Sequence, residues 1–112
     1  MFEEFVRWSQ QRMADCAARQ AALVADSRSD EAAFMQIRSN VYGLFLAAGQ
    51  GLRGDLTALR ARLDSIPAAW EKSLAQAEAH GDETKAHIER IKLETAAAIR
   101  HFVTHLEEHN HD

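Results

Sequence analysis

Proline and cysteine each occur once in this 112-residue chain, and glycine occurs five times. So little proline and glycine excludes a collagen-like or turn-rich β sandwich and argues against a disordered chain. The lone Cys16 leaves no disulfide framework and no cysteine-based zinc site within one chain. Long apolar runs are missing too: none approaches the roughly 18 to 20 residues that span a bilayer. The opening MFEEFVRWSQQR places acids and a base where a signal peptide is apolar. A cytoplasmic protein with no membrane partner is the expectation. Basic residues number 13 against 17 acidic ones, a net charge of −4, and only Arg53, Arg60 and Arg62 cluster. Nucleic-acid affinity rests on neutralising phosphates, so nucleic acid is not an expected partner.

What is present fits an average globular chain, 46% hydrophobic and 27% charged, and the length suits a single helical domain over residues 1–112. Phe2, Val6, Met13, Cys16 and Leu23 follow alternating steps of four and three, with Ser9 and Gln20 filling the register, which predicts a first helix to about Asp26. Ser29 or Asp30 is the expected cap of a second helix, with Glu31 in its first turn. There Phe34, Ile37, Val41, Leu44, Phe45 and Ala48 form one face, and Met35, Tyr42 and Leu46 widen it beyond the roughly 100° stripe of a surface helix. Those three residues predict an interface that closes a homodimer. Arg38 projects from the same face and either snorkels outward or meets a carboxylate.

The string GQGLRG at residues 49–54 is a literal G-x-G-x-x-G. A dinucleotide site needs a strand before it and an acidic residue at the end of a second parallel strand. Glu71 lies at the right distance but inside a helical pattern, so a break in the second helical stretch is predicted instead. Asp55 then caps a third helix carrying Leu56, Leu59 and Leu63. Pro67 opens a fourth, with Ser65 as its expected cap and Trp70, Leu74 and Ala77 inward. In HGDE, Gly81 suits the left-handed residue after a helix and Asp82 the next cap. The last helix points Ile88, Ile91, Thr95, Ile99, Phe102 and Leu106 inward. The expected architecture is an all-α up-down bundle of four to five helices.

Five of the six histidines lie at or after His87. His101, His105 and His109 share one helical edge with Glu94 and Glu108, a pattern that can chelate a divalent transition metal. The plainer reading is a solvated helix end, and no cofactor is expected. RHFVTH, Arg100 to His105, resembles the R-x4-6-H signature of HEPN ribonucleases over these six residues. That resemblance implies a cation beside a scissile phosphate and a general acid or base; two surface residues on an amphipathic helix are the alternative. Cys16 and Trp70 read as core residues, and Trp8 as a surface aromatic or part of an interface. No catalytic residue is assigned. The expected role is a small structural or protein-interaction module that self-associates, with an enzyme or metal protein using the last helix as the alternative.

Overall fold

Local sequence decides where the helices stop. The computed structural model describes residues 1–109, in which α1 spans Phe2–Ala25, α2 Ser29–Gly51, α3 Leu56–Ser65, α4 Pro67–Ala79 and α5 Glu83–His109. No strand forms among the described residues. Three of these helices end in the same way. The amide two residues past the cap reaches back to the carbonyl five residues earlier: Arg28 to Leu23 at 2.8 Å, Gly54 to Gly49 at 2.9 Å and Asp82 to Ala77 at 2.9 Å. This closure requires a left-handed residue just before that amide. Ser27 (φ 58°), Arg53 (φ 56°) and Gly81 (φ 69°) supply it. Only Gly81 does so without crowding of its Cβ.

The helix starts are less uniform. Asp55 accepts a hydrogen bond from the Ala58 amide at 3.1 Å, and Asp82 from the Lys85 amide at 3.0 Å, so both anticipated caps form. Ser29 and Asp30 fall inside α2, whose cap is Arg28 without a side-chain bond. Ser65 does not cap α4 either. Its hydroxyl donates back to the Arg62 carbonyl at 3.4 Å, and Ile66 keeps helical angles, φ −62° and ψ −44°. α3 and α4 are therefore one helix bent at Pro67, whose ring lacks the amide that would close the ladder.

The three-residue connection after α1 sends α2 back along it, and this is the most extensive helix pairing; α4 and α5 form the second hairpin. At 27 residues, α5 runs about 40 Å and touches α2, α3 and α4. It is tied to each by an ion pair, Glu94 with Arg38, Glu107 with Arg60 and Glu78 with Arg90. The molecule measures 47 × 35 × 21 Å, a slab about two helices thick.

The core fills one end of the slab, where Phe5, Phe45, Leu59, Ile99 and Val103 are fully enclosed. Phe2, Trp8, Tyr42, Trp70 and Phe102 pack around it. Two sequence expectations change here. α1 buries Phe5, Ser9, Cys16 and Leu23, while Val6 and Met13 lie at the edge. Trp8 is an internal aromatic: its ring stacks on Phe102 at 4.3 Å and meets Tyr42 edge-on at 5.6 Å.

Candidate functional site

The glycine string has a packing role. Gly49 and Gly51 lie within α2, and the chain leaves the helix only at residues 52–54. No strand feeds the first glycine. A Cβ on Gly49 would stand 2.8 Å from the Phe2 ring, and one on Gly54 (φ 78°) would stand 3.0 Å from it, whereas one on Gly51 would meet nothing. The two outer glycines form a slot for Phe2, pinning the start of α1 to the turn between α2 and α3. A slot filled by the chain's own aromatic ring leaves no cradle for a pyrophosphate.

The broad apolar surface of α2 is divided between two neighbours and an opening. Tyr42 and Leu46 are half-buried and pack on the core, Tyr42 against Trp8 of α1. Met35 lines a cavity between α1, α2 and α5. Positions 33, 37, 44 and 48 recur at helical spacing on a different side of α2. α2 and α4 scarcely meet there, apart from the edge of Trp70 against Phe45 at 6.3 Å. Leu44 is 40% exposed, Ile37 and Ala48 are half-buried and Ala33 is exposed. Ala33 and Ile37 share an open groove of about 530 Å³ with Ile88 and Thr84 of α5, edged by Asp30 and Glu83. Sequence reasoning placed Ile37 and Leu44 in the core. Their spacing was visible, but the side of α2 that α1 would occupy was not.

The histidine edge lies in the open. His101, His105 and His109 are all exposed, and the His105 and His109 rings meet edge to face with centroids 4.1 Å apart. No group of three metal-ligating side chains converges among the described residues. Glu94 turns instead to Arg38, at 3.4 Å, which gives that arginine its carboxylate. The string from Glu108 to His111 ends outside the described residues. Arg100 and His105, five residues apart on α5, project about 140° from each other around the helix. Arg100 pairs with Asp64 of α3 at 2.9 Å, and His105 faces its neighbour His109.

Three further groups stand out inside the molecule. Burial pushes the Cys16 thiol and the Tyr42 phenol above their ordinary pKa ranges, and their proximity raises Tyr42 further. A protonated, enclosed thiol is a poor nucleophile. Glu89 is buried on α5, with one oxygen 3.0 Å from Lys92 and the other, Oε2, without a hydrogen-bond partner. Lys92 in turn sits 5.8 Å from the centre of the Trp70 ring. Nothing in the apolar spacing of α5 signals Glu89, since it faces inward only because α5 serves two neighbours at once. No helix among the described residues is long and apolar enough to cross a membrane. Comparison with known proteins gives no match, whether to a protein-family model, to a curated protein or to a solved structure.

Proposed function

We propose that this chain is a protein-interaction module that pairs with a second copy of itself through the open side of α2. The observation that carries this reading is the exposed Leu44, about two turns beyond the half-buried Ile37, which lies in the Ala33–Ile37–Ile88 groove, on a side of α2 that α4 scarcely meets. Exposed apolar edges of this kind mark interfaces, and two-fold pairing is the commonest way for identical chains to close one.

Met35, Tyr42 and Leu46 then support the interface from behind, on the side turned to α1. Two substitutions on one helix separate this arrangement from the alternatives. Leu44→Glu places a charge where only water need receive it and is expected to yield a folded monomer. Leu46→Glu places a carboxylate beside the core, where it has no partner, and is expected to lose the fold. Sedimentation and circular dichroism read both. Wild-type protein that sediments as a monomer at high micromolar concentration refutes the proposal.

A further inference from the structure

A second concavity adjoins the Ala33–Ile37–Ile88 groove, sharing Phe34 and His87 with it, where α1, α2 and α5 meet away from the aromatic core. It is open to solvent and holds about 190 Å³. Of its apolar lining, Leu23 and Ile91 are almost fully buried and present little surface, while Phe34 and Met35 are half-buried and Phe34 lies edge-on to the His87 ring at 4.5 Å. Its rim is cationic, with Arg19 from α1 and Arg38 from α2 facing the His87 imidazole of α5. The one carboxylate on the wall, Glu31, is already paired with Arg28.

Both arginines keep donors that no carboxylate of the described residues engages. Arg19 has no carboxylate within ion-pair distance among the described residues, and Arg38 has only Glu94, at 3.4 Å and largely exposed. A guanidinium presents five donors in a planar fork suited to carboxylate and phosphate oxygens. Here one fork engages a single distant oxygen and the other engages none. An apolar floor with convergent polar groups at its edge is the usual composition of a small-molecule site.

We propose that this cavity binds a small organic anion, a carboxylate or phosphate monoester carried on a compact apolar body. Arg38 and Arg19 hold the anionic group, His87 adds a ring nitrogen beside it, and the apolar part rests on Phe34 and Met35. The volume falls below the roughly 300 Å³ at which drug-sized pockets begin, so the ligand is a fragment the size of phenyl phosphate or benzoate. Glu94 competes with it for Arg38.

The test is an NMR titration of the full chain, labelled with nitrogen-15, by phenyl phosphate, benzoate and inorganic phosphate at constant ionic strength. Phenyl phosphate and benzoate are expected to shift the amides of residues 19, 34, 38, 87 and 91 saturably, and phenyl phosphate to bind more tightly than inorganic phosphate. Arg38→Gln, which keeps the stem, should weaken binding about tenfold, the worth of a charge-assisted hydrogen bond. Glu94→Gln should strengthen it about two- to fivefold by freeing Arg38, on the scale of one exposed ion pair. That gain cannot come from damage to the fold. Absence of saturation up to about 10 mM, a range that captures millimolar affinity, overturns the proposal. So does an affinity that neither Arg38→Gln nor Glu94→Gln changes, or shifts that cluster elsewhere.

Discussion

Replacing Gly49 by alanine sets two effects of known size against each other. Inside a helix, alanine is favoured over glycine by about 1 kcal/mol, and Gly49 is helical. Yet the new methyl would stand 2.8 Å from Cε1 and 3.2 Å from Cζ of Phe2, with Leu59 behind it at 3.4 Å. Gly54 lies close to the base of the same ring, where a Cβ would stand 3.0 Å from Cγ of Phe2, so the space for Phe2 to retreat is small. Crowding of this kind costs about 1 to 3 kcal/mol in a packed core, so Gly49→Ala is expected to be destabilising by about 1 kcal/mol on balance. The explanation makes a sharper demand when Phe2 is removed. In a Phe2→Ala background the obstacle is gone, only the propensity gain is left, and Gly49→Ala should stabilise by up to about 1 kcal/mol. Urea denaturation of the four proteins, followed by far-ultraviolet circular dichroism, gives the coupling directly. A value of about 1 to 3 kcal/mol is expected for residues in such contact. If Gly49→Ala shifts stability equally in both backgrounds, to within about 0.5 kcal/mol, the slot has no energetic role and the account of the glycine string fails.

Gly51 and Arg53 supply the opposite case. Gly51 is helical with open space around it, so Gly51→Ala should stabilise by about 0.5 to 1 kcal/mol. Arg53 occupies a left-handed position (φ 56°), so Arg53→Gly should gain about 1 kcal/mol; a fall in melting temperature for either refutes the assignment of the turn. Alkaline pH should weaken the fold. The folded chain holds the Cys16 and Tyr42 protons more tightly than the unfolded chain does, so stability is fully present below their ordinary values and declines as pH climbs past about 9. Tyr42→Phe with Cys16→Ala should flatten that decline in urea titrations, and an unchanged slope would count against it. The exposed histidine edge should carry no stoichiometric metal after dialysis of untagged protein. One zinc, iron or nickel per chain by plasma mass spectrometry, lost on replacing His101 and His105 by alanine, would reverse that conclusion.

Features set by a few adjacent residues were legible in advance. HGDE gave a helix end, a left-handed glycine and a new cap because each rests on backbone geometry within four positions, and Asp55 followed the same logic. Where the side chain gives no local hint, the same end motif was invisible: Ser27 and Arg53 turn left-handed without glycine. Pro67 announced a bend, but not that Ile66 would keep the helix continuous and leave Ser65 nothing to cap. On the inner face of α1, Ser9, Cys16 and Leu23 follow the sequence spacing and are buried, and Phe5 and Trp8 depart from it. Phe2 and Val6 suggested one edge, and the aromatic partners that draw Phe5 and Trp8 inward come from α2 and α5, far away in sequence.

The division of α2 shows why a candidate site is harder to read than a fold. An apolar stripe wider than one neighbour can cover implies that something else covers the rest, and that much follows from the sequence. Which edge is left over depends on the side to which a three-residue turn swings α1, and no residue in α2 encodes that choice. With α1 on the Tyr42 side, the edge through Ile37 and Leu44 is left open. The same placement brings Arg19 of α1 toward Arg38, so the cationic cavity and the open apolar edge are two consequences of one packing decision. They nevertheless differ in what they require. The apolar edge needs Leu44 exposed and is indifferent to the charge on residue 94, whereas the cavity depends on Arg38 and Glu94 and is indifferent to Leu44. A Leu44→Glu monomer that still binds phenyl phosphate would therefore show the two surfaces to be separate, and loss of both together would show that the α1–α2 hairpin itself had shifted.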